Sequence, residues 1–471
     1  MKNQDFIYHV RGESKYIDDA PVPEGTLYAS IYRSPSAHAR ILSIDTTEAY
    51  LVHGVQKIIL AKDIIGVNQI GGIIADEPLL AENEVHYMGQ PVAVVLASNL
   101  KASREASGKI SINLENLPVI TEPREAFNNN QLIIPPRIFS AGDTDSKWKD
   151  CDIIVEGTAE SGAQEHLYLE TQGALAFCQE GGNIKIISST QAPTAVQRAV
   201  SRVTGLPMNR IEVEVLRLGG AFGGKEDQAN SFAAMAALAS VLTKKPVKLV
   251  LSRQEDMQIT GKRHPYSSNF KIGLSADGKI LAYEVTFYQN AGAAADLSPA
   301  ILDRTLFHCA NSYFIPDLKA TGYSCRTNLP PNTAFRGFGG PQGMFAIEAA
   351  IYKAAEKMGV DASEIQKKNL LDEGDFFHYG QKAENCFARR SWTDASKLFN
   401  VQSVREEIRN FNRQNKLLKK GMALMPVCFG ISFTNTFMNQ ASALVHVYSD
   451  GSISVSTAAV EMGQGVNMKI R

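Results

Sequence analysis

The sequence predicts a multidomain protein of the α+β class, with helices and strands mixed along the chain. At 471 residues it exceeds a usual single domain, so two or three domains are expected. Its hydrophobic fraction is 44% and its charged fraction is 21%, which is ordinary for a globular protein with a buried core. Short strand-like runs alternate with helix-like runs through most of the chain, and this alternation predicts the fold class.

Residues 1–125 predict an α/β domain. The polar stretch 128–136 (NNNQLIIPP) predicts a linker, which we place at 126–149. In the domain itself, strand-like runs occupy 27–32, 55–60, 91–97 and 109–114, and a helical pattern covers 100–107.

A second domain is predicted over 150–385. One of its helices is expected to begin with Pro341 in the first turn and to end near Gly359. The charged, amphipathic run 395–418 predicts a connecting helix within a segment at 386–420. The other patterns of this domain are strand-like at 153–157, 184–188, 211–218, 247–251, 268–273 and 280–288, and helical at 195–204 and 227–243.

The last domain is predicted to cover 421–471 and to be incomplete. Strand-like runs at 443–448 and 452–457 flank Ser449-Asp450-Gly451, a strong hairpin signal. One hairpin is only marginally stable alone, and the chain then reaches another glycine loop. We therefore expect the N-terminal portion of a longer polypeptide, or a naturally shortened one.

Composition excludes several classes of function. The net charge is −1 without a basic stripe, which argues against nucleic-acid and anionic-membrane partners. No apolar run has the length of a membrane span, and the N-terminus lacks a signal-peptide pattern. The six cysteines show no zinc or iron–sulfur spacing, so we expect reduced thiols in a cytoplasmic protein.

The most informative segment is the glycine-rich run at 219–226 (GGAFGGKE), between a strand-like and a helix-like run. Glycines let a backbone approach a ligand closely and adopt positive φ angles. Gly219, Gly224 and Lys225 match the start of a phosphate-binding loop. Glu226, however, replaces the hydroxyl residue that holds Mg²⁺, which disfavours an NTPase. A plain structural turn is the other alternative.

Several further segments, expected as loops, carry groups that bind organic molecules. Together they offer amide side chains, backbone N–H groups, phenyl rings, one arginine and one carboxylate. This inventory suits a large anionic cofactor beside a flat aromatic substrate. The segments are 164–171 (QEHLYLET), 189–194 (STQAPT), 303–308 (DRTLFH), 327–342 (TNLPPNTAFRGFGGPQ), 429–435 (FGISFTN) and 461–465 (EMGQG).

The runs GGAFGGKE, TAFRGFGGPQ, QEHLYLET, GISFT and EMGQG resemble those of the molybdopterin-binding subunit of the xanthine dehydrogenase/xanthine oxidase family, and they occur in the family's order. The resemblance covers essentially the whole chain. It implies an N-terminal hammerhead-like α/β domain followed by molybdopterin-binding α+β domains, the last of them incomplete.

The resemblance also implies an oxidoreductase, a molybdenum hydroxylase of purines. Such an enzyme converts hypoxanthine to xanthine and xanthine to urate with water-derived oxygen. Electrons leave molybdenum-molybdopterin for 2Fe-2S and FAD groups, which the resemblance places on partner subunits rather than on this chain, and then reach NAD. The implied assembly is a dimer of heteromers that includes the C-terminal remainder of the large subunit.

Individual residues take roles from the same resemblance. Glu226 and Arg304 are implied to hold the purine and to act in catalysis. Phe338 and Phe433 are implied to sandwich it, beside Thr434. The residues implied to bind the cofactor are Gln191, Gly220, Phe222, Gly223, Arg336, Met462, Gly463 and Gln464, of which Gln191, Phe222 and Arg336 line the molybdenum centre without a side-chain ligand set.

The chemistry of these residue types agrees with the implied roles. Arg304 can meet negative charge that develops on a purine during nucleophilic addition. Glu226 can exchange a proton with a ring nitrogen or oxygen. The presence of both favours a purine over the alternative substrates, an aldehyde or another N-heterocycle.

Each assignment has a structural alternative that requires no ligand. These are an exposed turn for Glu226 and Lys225, an ion pair of Arg304 with Asp303 or Asp296, core packing for Phe338 and Phe433, and a helix cap for Gln191.

One departure from the family pattern concerns the general base. In the family the general base is a glutamate, which lies downstream in a Gly-Glu-Pro context. These 471 residues contain no such segment. Loss of a general base typically costs about 10² to 10⁴ in rate. We therefore expect the 471-residue chain to be inactive alone, and a non-catalytic subunit fragment is a further alternative.

Overall fold

The computed structural model describes residues 5–470, and strands and helices are mixed throughout them, which confirms the α+β class. The strands form four sheets. In chain order they are β1 (Leu27–Arg33), β2 (Ala39–Asp45), β3 (Val55–Leu60), β4 (Glu84–Val85), β5 (Pro91–Ala97), β6 (Ser111–Asn116), β7 (Arg137–Ala141), β8 (Ile153–Ser161), β9 (Gly173–Cys178), β10 (Ile184–Ser188), β11 (Ile211–Glu214), β12 (Val247–Val250), β13 (Tyr266–Leu274), β14 (Ile280–Gly292), β15 (Asp317–Arg326), β16 (Ala443–Val447) and β17 (Ile453–Thr457).

The α-helices range from four to nineteen residues, and the longer ones cover the sheets. Helix α10 has Pro341 in its first turn and ends before Gly359, as the sequence predicts. In chain order the helices are α1 (Asp5–Val10), α2 (Thr47–Tyr50), α3 (Leu100–Ser107), α4 (Pro123–Asn128), α5 (Thr144–Lys147), α6 (Pro193–Thr204), α7 (Ala229–Thr243), α8 (Arg253–Ile259), α9 (Ser298–Phe307), α10 (Gly340–Met358), α11 (Ala362–Lys368), α12 (Ala388–Leu398), α13 (Val401–Gln414) and α14 (Val466–Ile470).

The largest sheet has seven strands in the order β11-β10-β9-β12-β1-β5-β3. Strand β1 runs parallel to β12, with Leu27 opposite Val247, and antiparallel to β5. Every residue of β5 is buried, which explains its continuous apolar sequence PVAVVLA. Because β1, β3 and β5 pair into the same sheet as β9–β12, the two N-terminal predicted domains share one core. A boundary near residue 125 stays a prediction.

A second sheet has five strands in the order β7-β15-β14-β13-β8. Its edge strand β7 comes from the segment predicted as a linker, so that segment is part of the sheet. Helices α9 and α10 pack on this sheet through apolar residues such as Leu302, Ile347 and Ile351. The glycine-rich run follows β11 of the seven-stranded sheet, whereas α9 and α10 pack on the five-stranded sheet. Both large sheets therefore support segments that carry predicted site residues.

Two smaller sheets complete the fold. Strands β4, β2 and β6 form a three-stranded sheet, and β16 and β17 form an antiparallel hairpin. The hairpin confirms the prediction made from Ser449-Asp450-Gly451, and Gly451 has a φ of 83°. Apolar side chains on its strands are exposed, among them Leu444 at 70% and Ile453 at 64%. Contiguous exposed apolar side chains of this kind are typical of an interaction surface.

Two sequence expectations were wrong. The segment 303–308, expected as a loop, lies in and just after helix α9, whose Ser298-Pro299 start and buried Leu302 and Leu306 give a helical spacing. The run 395–418, expected as one helix, is divided between α12 and α13 because Asn400 adopts a φ of 44°.

Two global properties follow from the described residues. No helix among residues 5–470 is long and apolar enough to cross a membrane. All six cysteines are free thiols, as the sequence predicts. Strands β9 and β15 were not predicted from the sequence because they mix small and polar residues with few branched apolar ones.

Candidate functional site

The glycine-rich run lies between β11 and α7, although the strand ends at Glu214 rather than at the expected residue 218. Gly223 has a φ of 104°, and a Cβ atom there would lie 2.7 Å from the Ala334 carbonyl oxygen. A Cβ atom on Gly224 would lie 2.7 Å from the His166 ring. Phe222 has a φ of 56°, a conformation that costs a non-glycine residue about 1–3 kcal/mol. The run is therefore held in a conformation that only this glycine pattern allows.

A buried ion pair holds the run from beneath. Lys225 Nζ lies 2.9 Å from Glu170 Oε2, and the lysine side chain has no exposed surface. The Glu170 carboxylate also accepts hydrogen bonds from the N–H groups of Gly219 and Ile17, each at 3.0 Å. Burial lowers the pKa of Lys225, and the charge of Glu170 opposes that shift. The alternative of an exposed polar turn is therefore wrong for Lys225.

Gln191 anchors the run from the side. Its Oε1 accepts hydrogen bonds from the N–H groups of Gly223 at 3.0 Å and Lys225 at 3.3 Å. Helix α6 begins at Pro193 with Ala192 as its N-cap and no side-chain cap, so the helix-cap alternative for Gln191 is wrong. Within residues 5–470 the Nε2 group of Gln191 has no hydrogen-bond partner, which leaves its two N–H bonds for a ligand.

Three successive backbone N–H groups of the run point to an anionic ligand. Those of Gly220, Ala221 and Phe222 have no acceptor among the described residues, whereas the next N–H group, of Gly223, is bound by Gln191. Successive N–H groups in such a turn form a concave site for anions. The run thus fits an anionic organic cofactor, and the cofactor roles of Gly220, Phe222 and Gly223 remain predictions.

The second glycine loop, at 461–465, is arranged differently. The Glu461 carboxylate accepts from the N–H groups of Gly463 at 2.9 Å and Gly465 at 3.0 Å. Met462 donates its N–H to the Gln464 side chain at 2.8 Å. The backbone donors of Met462 and Gly463 are therefore occupied within the loop. Their predicted contact with a cofactor, like that of Gln464, requires these bonds to be exchanged and stays a prediction.

The glycine-rich run meets the segment 333–340 through its backbone. The N–H of Arg336 donates to the Phe222 carbonyl at 2.8 Å. The Arg336 side chain is exposed, and the Phe222 side chain is 45% exposed. The Arg336 carbonyl in turn accepts from the Arg263 guanidinium at 3.0 Å. Two of the residues predicted to line a molybdenum centre are thus neighbours on open surface.

Phe338 and Phe433 contact each other. Their ring centres are 5.4 Å apart and their planes are inclined by 57°. Both pack against buried Leu297, Ile301 and Ala334. A flat ring held between two parallel rings needs about 7 Å between them, twice an ordinary carbon contact. A sandwich therefore requires the two rings to separate, and it stays a prediction beside the core-packing alternative.

Arg304 is a buried cation that lines a cavity of about 220 Å³ together with Phe433 and Thr434. The side chain lies on α9 and is 5% exposed. Its guanidinium donates to the carbonyl oxygens of Gly430 and Ser432, while its Nε has no partner among the described residues. Burial lowers the pKa of this guanidinium.

The carboxylates expected as alternative partners of Arg304 are engaged elsewhere. Asp303 lies 3.6 Å from Arg137, and Asp296 accepts hydrogen bonds from Gln228 and Thr333, each at 2.7 Å. The structural ion pair is therefore wrong. In the part of the chain that the structure describes, Arg304 has no carboxylate partner at all. Backbone carbonyl oxygens carry only partial negative charge, so this buried guanidinium favours a ligand that supplies a full negative charge.

Glu226 lies in the glycine-rich run and does not line the Arg304 cavity. Burial raises the pKa of its carboxyl group to about 7, and the charge of Asp227 adds to the shift. At neutral pH the carboxyl group is therefore distributed between its acid and its carboxylate form, which suits proton exchange with a ligand.

Two residues that organise the site have no role in the sequence reasoning. Glu170 stands in the run QEHLYLET, but nothing in the sequence connects it with Lys225. His308 follows Arg304 by one helical turn. Its Nδ1 donates to the Arg304 carbonyl at 3.0 Å, and its Nε2 accepts from the Gly430 N–H at 2.9 Å. The i, i+4 spacing on a helix is the only signal that could have found it.

Comparison with known proteins extends this description. The family model "Molybdopterin cofactor-binding domain" matches residues 127–370 and a second such model matches 394–471. The model "Aldehyde oxidase and xanthine dehydrogenase, a/b hammerhead domain" matches residues 11–118. The greater part of the chain thus consists of molybdopterin cofactor-binding domains.

Comparison with individual proteins identifies the family more closely. The chain is 43% identical over 465 residues to xanthine dehydrogenase 1 of Arabidopsis thaliana, and 42% identical over 460 residues to xanthine dehydrogenase/oxidase of Gallus gallus. Each match covers 98% of this chain and 34% of the relative. The aldehyde oxidoreductase of Desulfovibrio gigas has the same fold, with a TM-score of 0.86 and 26% identity over 99% of this chain and 53% of that chain.

The chain therefore belongs to the xanthine dehydrogenase/xanthine oxidase family and carries its molybdopterin-binding portion. The expected order, a hammerhead domain followed by molybdopterin-binding domains, is confirmed. The chain spans 34% of the length of the curated relatives it matches. The roles of the individual site residues stay predictions.

The buried ion pair gives a first testable prediction. Glu170→Gln leaves the Lys225 ammonium buried without a counter-ion and should lower the free energy of unfolding by about 3–5 kcal/mol. Glu115→Gln is the matched control, because the Arg40–Glu115 pair is more than half exposed and should contribute no more than about 1 kcal/mol. Urea unfolding followed by circular dichroism measures both; equal losses would contradict the role given to Lys225.

Glu226 gives a prediction of pH dependence. The folded protein keeps the Glu226 proton up to about pH 7, while the ordinary value for glutamate is 4.5, so folding binds a proton between these values. The stability of the wild type relative to Glu226→Gln should therefore fall as pH rises from 4.5 to 7, and then level off. Thermal unfolding across this range, with the exposed Glu24→Gln as control, measures the slope. A flat difference would show that Glu226 is not buried as described.

Proposed function

We propose that this chain supplies the substrate pocket and part of the cofactor site of a molybdenum hydroxylase that oxidises hypoxanthine to xanthine and xanthine to urate. The observation that carries the proposal is Arg304, a cation buried to 95% that lines a cavity without a carboxylate partner among the described residues. A purine that gains negative charge during nucleophilic addition supplies the missing anion. A simple aldehyde develops negative charge only on the carbonyl oxygen at its reacting carbon and has no ring heteroatom to place beside the guanidinium.

The residues of the glycine-rich run would hold the cofactor. The free N–H groups of Gly220, Ala221 and Phe222 suit the anionic part of molybdopterin, and the free amide N–H bonds of Gln191 suit the metal centre. When bound, this cofactor supplies the two-electron oxidation and the water-derived oxygen. The exposed Phe222 and Arg336 side chains would lie beside that position.

The chain's own residues then act on the purine. Phe338 and Phe433 orient the flat ring by contact with its faces and edge. Arg304 stabilises negative charge on a ring oxygen or nitrogen, an effect of several kcal/mol in a buried site. Glu226 holds a proton at its carboxyl oxygen at neutral pH and can donate it to a ring nitrogen or take one back. Thr434 lines the same cavity and contributes a hydroxyl group for orientation.

We further propose that a second polypeptide segment packs against this chain and completes the enzyme. Exposed apolar side chains cluster from residue 417 to the hairpin, for example Leu417 at 98%, Ile431 at 93% and Phe437 at 78%. A monomer that exposed such a surface would associate with itself or with a partner. The C-terminal remainder of a large subunit is the proposed covering. Electrons are proposed to leave through 2Fe-2S and FAD groups on partner subunits to NAD, in a cytoplasmic dimer of heteromers.

An aldehyde or another N-heterocycle is the second candidate substrate. The structural similarity to the aldehyde oxidoreductase of Desulfovibrio gigas favours it, since that match covers 99% of this chain. Arg304 and Glu226 distinguish the two substrate classes, because neither charge is needed to bind a simple aldehyde. A non-catalytic role is the remaining alternative, and retention of cofactor without turnover of either substrate would favour it.

Substrate turnover tests this proposal. In the complete, cofactor-loaded protein, Arg304→Met should lower kcat for xanthine by about 10² to 10³, the usual cost of one donor to a developing anion. Turnover of benzaldehyde should fall by far less, because it presents no ring nitrogen or oxygen to Arg304. The control is the exposed Arg210→Met. Equal losses for both substrates, or unchanged xanthine turnover, would contradict the proposal.

A further inference from the structure

Three potential metal ligands lie together on the three-stranded sheet, away from the glycine-rich run. They are His38, Glu84 and His86, and their ligand atoms all lie within 4.8 Å of one another. His38 Nε2 is 2.8 Å and His86 Nδ1 is 3.5 Å from the same oxygen, Glu84 Oε1. Ligand atoms around a tetrahedral zinc ion are separated by roughly 3.3 Å, given bond lengths of about 2.0–2.1 Å. The two separations from Glu84 bracket that value.

The hydrogen bonding of His38 prepares it for a metal. Its Nδ1 contacts the Pro118 carbonyl oxygen, which can only accept, so Nδ1 carries a hydrogen. Its Nε2 makes a 2.8 Å hydrogen bond with Glu84 Oε1, and a metal ion would displace the proton of that bond, so that the Nε2 lone pair and the carboxylate both become ligands. A histidine that binds a metal through one nitrogen commonly donates from the other to a backbone carbonyl, which fixes the ring. His38 has this second contact already.

The backbone of all three residues is fixed by the fold. His38 precedes β2, Glu84 opens β4, and these strands pair with Arg40 opposite Glu84. The His86 N–H donates to Gln90 Oε1 at 2.7 Å, and its carbonyl accepts from Asn328 Nδ2 at 3.0 Å. The cluster is therefore rigid before any ion binds, which reduces the entropic cost of binding.

The charges near the cluster also permit a cation. Glu84 supplies one negative charge to the cluster, and imidazole binds a metal ion in its neutral form. The neighbouring guanidinium of Arg326 is neutralised by Asp76 at 2.8 Å. His38, Glu84 and His86 are partly exposed, so an ion can enter and water can complete its coordination.

We propose that His38, Glu84 and His86 form a binding site for a divalent transition-metal ion of the zinc class. Two imidazole nitrogens and one carboxylate oxygen are a ligand set typical of zinc. Through the His86 carbonyl and Asn328, the ion is connected to the segment that leads to Arg336 and Phe338. Its role is to stabilise the contact between the three-stranded sheet and this segment. The proposal is independent of the reaction catalysed at the glycine-rich run.

Zinc binding tests the site. The 471-residue chain, freed of metal by chelation, is incubated with ZnCl₂ and desalted, and bound zinc per chain is measured by metal mass spectrometry. We expect the count to fall by one ion in Glu84→Gln and in His86→Ala, and to be unchanged in His53→Ala, an exposed histidine outside the cluster. Titration calorimetry should show at least a tenfold weaker affinity, about the cost of losing even an outer contact.

Two further measurements separate this site from adventitious binding. Zinc should raise the melting temperature of the wild type and of His53→Ala, but not of Glu84→Gln, whose shape is preserved. Co²⁺ at the site should lack the thiolate charge-transfer band that binding to a free cysteine would give. Equal zinc counts in the wild type and both cluster variants, or no zinc at all, would overturn the proposal and leave His38–Glu84 as a simple ion pair.

Discussion

The ion pair between Lys225 and Glu170 is the interaction on which the site depends. A lysine without exposed surface is unusual, and it is tolerated here because one carboxylate binds the ammonium and two backbone N–H groups. That carboxylate joins the glycine-rich run to Ile17 and to the segment before β9. Together with the hydrogen bonds that Gln191 accepts from Gly223 and Lys225, this ion pair sets the position of the run and of its three free N–H groups.

From the run, a continuous series of contacts reaches the cavity. The Phe222 carbonyl accepts a hydrogen bond from the Arg336 N–H group. Phe338, two residues after Arg336, contacts Phe433. Arg304 then binds the carbonyl oxygens on either side of residue 431. The site thus lies where loops from the two large sheets meet, and the guanidinium has two tasks. It holds the segment 429–434 in place, and it offers positive charge to the cavity.

Local structure could be predicted where one signal dominates. Strand β5 is apolar throughout, and α3 is bounded by the Asn99 cap and Gly108, so the predicted bounds agree with the structure to the residue. Arg304 was expected in a loop because its polar neighbour Asp303 obscured the buried helical face of α9. Such errors arise where one or two charged residues interrupt a buried helix.

Side-chain direction could not be predicted, because it depends on contacts distant in sequence. Gln191 accepts hydrogen bonds from residues more than thirty positions away. The Glu461 carboxylate accepts a hydrogen bond from Gly463 in its own loop, so that this N–H group is not free for a ligand. Family resemblance supplied the predicted residues of the site and their order. It could not show that Phe338 and Phe433 contact each other, or that Arg304 has no acidic partner within residues 5–470.

The central claim is that the glycine-rich run holds a molybdenum cofactor, and the molybdenum content of the complete protein tests it most directly. We predict stoichiometric molybdenum in the wild type and in Gly421→Ala, where a Cβ atom meets nothing within 4 Å. Gly223→Ala, whose Cβ would lie 2.7 Å from the Ala334 carbonyl oxygen, should remain folded by circular dichroism and lose most of its molybdenum. Wild-type molybdenum content in Gly223→Ala, or none in the wild type, would contradict the claim.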